Sequence, residues 1–197
     1  MISDIYQCIF IHIPKTAGES IETILMGHPN WEKDDPKYEQ LNLPEGSHCG
    51  EDKHYKISQW MNHDKFESYF KFSIVRNPWA SAYSFYKYRK KRDNFSHTFP
   101  EWVKCVNPEF WQGFLAPLPY LFLGDKIGVD FVGRFENLNK DWHYICERLY
   151  INTMCLPHEN NSEISDSYTN HYDQQSKDIV YKHLKEDIEY FNYSFGE

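Results

Sequence analysis

A lysine, two hydroxyl residues and a glycine fall within six positions, Lys15-Thr16-Ala17-Gly18-Glu19-Ser20, directly after an apolar, β-branched run from Gln7 to Ile13 that ends at Pro14. These are the groups that hold phosphate or sulfate. Lys15 brings charge, Thr16 and Ser20 bring hydroxyls, and Gly18 permits close backbone approach. If Ile21, Ile24 and Leu25 belong to a following helix, the unpaired N–H groups of its first turn converge on the same place. The pattern is not GxxxxGK[ST], because Lys15 precedes the glycine and no glycine lies upstream. On residue types alone, an ordinary strand–turn–helix with an exposed lysine fits equally well. A second junction repeats the theme. Arg76 follows the apolar run Phe70 to Val75, and Asn77-Pro78 opens a helix. Ser84 lies eight residues beyond Arg76, about two helical turns, so both can face one anion. Arg76 could equally cap a helix or pair with an acid. Two such sites at neighbouring strand ends would suit one ligand carrying two separate phosphates.

The elements that must position these groups are legible as strands alternating with helices. Gln7–Ile13 and Phe70–Val75 read as buried strands. Trp79, Ala82, Tyr83 and Tyr86 recur at helical spacing after Pro78. Residues 57–70 read as one or two short helices and 98–106 as another. Tyr120–Leu123 and Val129–Gly133 read as strands. Leu138, Trp142, Ile145 and Leu149 mark a helix, and 173–190 a final one. The expected fold is α/β, a P-loop-like three-layer sandwich with a mostly parallel central sheet flanked by helices, in one domain over residues 1–197. Residues 28–50, rich in Pro, Asn, Asp, Glu and Gly, read as a long surface loop of the kind that forms lids or binding segments.

Composition bounds the function. The chain has 197 residues, 41% hydrophobic and 18% aromatic, which excludes a disordered polymer. Its formal charge of −8 argues against a partner that is nucleic acid. No apolar run approaches the roughly 18 residues of a membrane span, and Asp4 interrupts the apolar start of the chain, so no signal peptide is expected. Five cysteines without a CxxC argue for free thiols and a reducing, cytoplasmic setting. His48-Cys49 with His54 lacks a standard zinc spacing, and no metal is expected.

Several segments carry a resemblance. HIPKTAGES (His12–Ser20) is similar to the 5′-phosphosulfate loop of the Golgi-type and bacterial carbohydrate sulfotransferases, whose usual form is HIPKTGGTS. VRNPWASAYSFY (75–86) resembles their 3′-phosphate segment, with the same Arg-to-Ser spacing. VDFVGRFENL (129–138), LPHENNS (156–162) and FNYSF (191–195) also resemble that group, in the same order. The resemblance implies a sulfotransferase that moves a sulfuryl group from 3′-phosphoadenosine 5′-phosphosulfate (PAPS) to a hydroxyl of a carbohydrate or glycan-like acceptor, leaving 3′,5′-ADP (PAP) and needing no metal. It assigns Lys15 to the oxygen bridging sulfur and phosphorus. It assigns Thr16, Ala17, Gly18, Glu19 and Ser20 to the 5′-phosphate, and Arg76 and Ser84 to the 3′-phosphate. Asn160 and Ser162 would reach the cofactor from a late loop. The base should titrate near neutral pH, which favours histidine. His54, in DKHYKISQW, is the first choice, with His48 next, while His158 reads as shaping the cofactor site and His12 as structural within the strand end.

There are departures. Ala17 stands where the group has glycine, at little cost if its φ is negative. Glu19 replaces a threonine beside the phosphate and is expected to point outward. Ala80-Ser81 replaces a structural Asp-Arg pair. Arg134 and Glu136 read as a structural ion pair or a nucleotide contact, with the structural reading favoured. The basic run from Lys87 to Arg92 reads either as a guide for the anionic donor or as a solvated helix end, and the nearby aromatics as core or as a sugar platform. Golgi relatives carry an N-terminal anchor that this sequence lacks, so a soluble enzyme is expected. Alternatives are a small metabolite or lipid head group as acceptor, a degenerate nucleotide-binding protein, and an atypical P-loop kinase.

Overall fold

The computed structural model describes residues 1–25, 54–152, 156 and 166–197. The expected loop at 28–50, His28, His48, Cys49, His158, Asn160 and Ser162 lie outside the described residues. A four-stranded sheet runs in the order β1 (Ile2–Ser3), β2 (Cys8–Ile11), β3 (Phe70–Val75), β6 (Phe131–Arg134). The last three are parallel, and β1 is an antiparallel edge. Ile11 pairs with Ser73 and Val75 with Arg134. The chain therefore leaves β2, β3 and β6 at one edge of the sheet, which is where open α/β sheets bind ligands.

Side chains of β2 alternate between two cores. Cys8 and Phe10 pack with Ile21, Ile24 and Leu25 of α1 (Gly18–Leu25) and with Trp142, Ile145 and Leu149 of α7 (Leu138–Leu149). Ile9 and Ile11 pack on the opposite face with Ile57 and Trp60 of α2 (Ile57–Trp60) and with Leu118 and Leu121 of α6 (Leu118–Leu121). A strand buried on both faces reads as an unbroken apolar run, and QCIFIHI is one. This is the expected mixed α/β architecture, with a mostly parallel sheet between helices.

A third core lies beside the sheet. Trp79, Ala82, Phe85 and Tyr86 of α3 (Pro78–Asp93) meet Phe99 and Val103 of α4 (Phe99–Cys105). A short α5 (Pro108–Phe110) leads into a wide turn at Trp111–Leu115, whose Trp111 and Leu115 join this core. Val180 of α8 (Gln174–His183) and Ile188 of α9 (Lys185–Tyr190) complete it.

Three readings change. Tyr120 and Leu121 end α6, and the strand expected there is only β4 (Phe122–Leu123), paired with β5 (Lys126–Ile127) in a separate hairpin. After α2, residues 61–69 form turns. The final helix breaks at Leu184, whose φ of −115° and ψ of 23° leave helical space. Restarting there sets the buried Asp187 carboxylate to accept the Leu118 N–H at 2.7 Å.

Candidate active site

The first junction is a tight, buried turn. Lys15 and Ala17 both have left-handed backbone, with φ of 70° and 65°. Ala17 therefore does not take the negative φ expected of it. Thr16 is buried, and its hydroxyl donates to the Ile13 carbonyl at 2.7 Å, which closes the turn. Helix α1 begins at Gly18, so the N–H groups of Gly18, Glu19 and Ser20 form its first turn. Ser20 is buried. Glu19 is half-buried, and its carbonyl accepts the Thr23 hydroxyl at 3.0 Å.

The second junction is fixed by Asn77, which is fully buried. Its Oδ1 accepts from Trp79 N at 3.1 Å and Ala80 N at 3.5 Å, capping α3. Its Nδ2 donates to Ser194 O at 2.8 Å, and its own N–H donates to Glu136 Oε1 at 2.7 Å. Pro78 fills the first helical position, where a missing N–H costs nothing. Glu136 also accepts from the Tyr193 hydroxyl at 3.2 Å, so it belongs to the framework. Arg134 does too. Its N–H donates to Asp141 at 2.6 Å, and its guanidinium donates to the Phe191 carbonyl and lies over the Tyr193 ring. Ala80 and Ser81 are buried in the first turn of α3.

Arg76, held just before that cap, reaches back to the first junction. Its Nη1 donates to Lys15 O at 3.1 Å, and its guanidinium lies 4.0 Å from the centre of the Phe135 ring. Its Nε is buried with no hydrogen-bond partner among the described residues. Burial, partly offset by Glu136, pushes its pKa down to about 10, so it stays charged at neutral pH. A buried cationic donor left without a partner costs free energy that an anion would recover. The Lys15 ammonium lies 4.7 Å from the centre of the Tyr88 ring on α3. Ser84 sits one turn before both Lys87 and Tyr88 on that helix. Burial, and then the Arg76 charge, hold the Lys87 ammonium below its ordinary pKa. Lys15, Arg76, Ser84 and Lys87 thus border one region at the carboxyl ends of β2 and β3.

His54 lies against the end of β2 at His12, three residues before Lys15. Its Nδ1 lies 3.0 Å from His12 O. A carbonyl only accepts, so Nδ1 carries the proton, and in neutral His54 the basic lone pair is on Nε2. The His54 ring meets the His12 ring at 4.6 Å and the Phe114 ring at 5.9 Å between centroids.

A model of the Sulfotransferase family matches residues 1–194. The chain belongs to the sulfotransferase family. An uncharacterized protein of Archaeoglobus fulgidus is 38% identical over 80 residues, which is 39% of this chain and 63% of that relative. The chain thus matches less than two thirds of that relative's length. No solved structure matches the chain. In this sulfotransferase-family chain the structure brings together Lys15, the start of α1, Arg76, the Ser84 stripe and His54. Lys87 and Tyr88 were not singled out by their spacing. The signal was present in helical periodicity, which puts both one turn after Ser84. Other side chains of the basic run have partners on α3 itself. Arg89 and Arg92 share Asp93, and Lys90 donates to the Tyr86 hydroxyl at 3.0 Å. Among the aromatics read as core or as a sugar platform, Trp111 and Tyr86 are core, whereas Tyr88 is exposed. No helix of the described residues is long and apolar enough to cross a membrane.

Proposed function

We propose that the protein transfers a sulfuryl group from PAPS to a hydroxyl of a carbohydrate or other glycan-like acceptor. The observation that carries this reading is the Arg76 guanidinium. Its Nε is buried with no hydrogen-bond partner among the described residues, and its Nη1 is tied to the Lys15 turn, at the strand edge where α1 begins. These residues fit a nucleotide with separated anionic groups: the first-turn N–H groups of α1 and Ser20 would hold the 5′-phosphate, and Arg76 with Ser84 the 3′-phosphate. Because the Thr16 hydroxyl proton closes the turn, Thr16 would contribute through its backbone.

The bound donor supplies a sulfuryl group activated by its attachment to phosphate. The residues supply position, charge and a base. His54 Nε2 takes the proton of the acceptor hydroxyl as the new oxygen–sulfur bond forms. Lys15 offsets the charge left on the phosphate oxygen as the old sulfur–oxygen bond breaks. The chemistry needs no metal.

Calorimetry with 3′,5′-ADP tests the donor, with ATP and 5′-AMP as controls. Micromolar binding that requires the 3′-phosphate is expected. Equal binding of ATP, or no binding, would overturn the assignment. Lys15→Ala separates an enzyme from a binder: turnover is expected to fall by about two orders of magnitude or more, with a smaller loss of 3′,5′-ADP affinity. Unchanged turnover would remove Lys15 from the mechanism.

A further inference from the structure

His12 and Glu22 form a buried pair that the transfer scheme leaves unused. His12 Nδ1 lies 2.8 Å from Glu22 Oε1, and both side chains are about 5% exposed or less. The carboxylate accepts, so His12 Nδ1 carries the proton. The same His12 ring packs against the start of α1 at Gly18. A Cβ built on Gly18 would lie 2.1 Å from its Cδ2 and Nε2. The ring also stacks on Phe10 of β2 at 5.7 Å. His12 is therefore held on three sides, by Glu22, Gly18 and Phe10, at the point where β2 ends.

That residue carries the carbonyl that receives the His54 Nδ1–H. The two imidazoles also meet edge to face, with an interplanar angle of 66°. We propose that the His12–Glu22 pair is a positioning device for His54: by locking the end of β2 it fixes the carbonyl that holds the His54 tautomer and the contact face that sets its ring orientation. His12 and Glu22 touch no reacting atom in this scheme. They act through His54, and the inference rests on the reading of His54 as the base. Metal-bound histidines use the same logic, with a hydrogen bond to one ring nitrogen setting the state and aim of the other.

The test uses the full chain, with Glu22→Leu to remove the carboxylate at similar size and Glu22→Gln to keep an acceptor. The first readout is the nitrogen chemical shifts of the His54 ring in the nucleotide-free protein, which report its tautomer. Wild type is expected to show the Nδ1–H form, Glu22→Gln to keep it, and Glu22→Leu to show a mixture. The second readout is turnover against 3′,5′-ADP affinity. Glu22→Leu is expected to lose about 10- to 100-fold in kcat, the scale of a misplaced catalytic group, with 3′,5′-ADP binding within about twofold of wild type, and Glu22→Gln to recover most of the rate. An unchanged His54 tautomer in Glu22→Leu overturns the proposal, and so does a loss of nucleotide affinity that matches the loss of rate. If Glu22→Leu does not fold, Glu22→Gln decides. Its amide can also donate to His12 Nδ1, so a His54 signature that stays fixed while the His12 tautomer changes overturns the proposal. Failure of wild type to bind 3′,5′-ADP would sink the donor assignment instead, and the tautomer readout does not depend on it.

Discussion

Ala17 sits in left-handed backbone at φ 65°, a conformation that costs a residue with a Cβ on the order of 1 kcal/mol and costs glycine almost nothing. Ala17→Gly is therefore expected to stabilise the chain by up to about 1 kcal/mol, seen as a rise of about 2–4 °C in Tm. A fall would mean that the added freedom of the unfolded chain outweighs the relieved strain. The neighbouring glycine shows how far single residues can be read in advance. Its need for a bare Cα was legible, and the reason was not. The sequence suggests room for a phosphate at Gly18, but the group that would strike a Cβ there is the His12 ring. Bringing His12 and Gly18 together depends on the left-handed turns at Lys15 and Ala17, and neither residue type announces a positive φ. The His12 carbonyl meets His54 Nδ1 across 42 positions of sequence, a pairing that local residue types do not announce either.

At the scale of the element, α3 carries the second half of the site, and its start is fixed by Asn77. Asn77→Ala removes the helix cap and leaves the Ser194 carbonyl without its buried donor. A loss of about 2–3 kcal/mol is expected from the cap and the orphaned group together, measured by denaturant unfolding, with weaker 3′,5′-ADP binding because Arg76 is the adjacent residue. Lys87→Gln should separate the two effects. Its Tm should stay near wild type, while 3′,5′-ADP affinity falls about tenfold; Lys91→Gln, in the same basic run, serves as the control. Equal small effects from both would make the run a uniform electrostatic guide. The helix itself was legible from Pro78 and the spacing of Trp79, Ala82, Tyr83 and Tyr86. What could not be read was how its charges divide, because five basic residues within six positions do not show that Asp93 is shared by Arg89 and Arg92. The break at Leu184 was likewise invisible, since neither glycine nor proline marks it and the α8–α9 apolar stripe runs through it.

Across the whole molecule, the sheet cores and the helical core must stay in register for the turn at Lys15 to face Arg76 and Ser84, and Asp187 is one link between them. It is 1% exposed, lies beside Ile188 of the helical core, and accepts the N–H of Leu118, which belongs to the core under the sheet. Burial pushes its carboxyl up from 3.8 to about 6, against the lowering effect of the Leu118 N–H. The folded chain thus binds this proton more tightly than the unfolded chain does. The stabilisation is complete below the unfolded value, is lost as pH rises through about 6, and does not return above it. A rise of about two pKa units corresponds to about 3 kcal/mol. Asp187→Asn keeps an acceptor for Leu118 and cannot ionise, so it should raise Tm at pH 8 by about 5–10 °C and leave it nearly unchanged at pH 4. Thermal melts at the two pH values decide the matter. An offset of the same size at both would show that the amide packs better for reasons unrelated to titration. A variant less stable than wild type at pH 8 would show that the ionised carboxylate holds Leu118 more strongly than its burial costs. Because Asp187 bridges the cores rather than lining the Lys15–Arg76 region, 3′,5′-ADP affinity at pH 7 should be the same in variant and wild type.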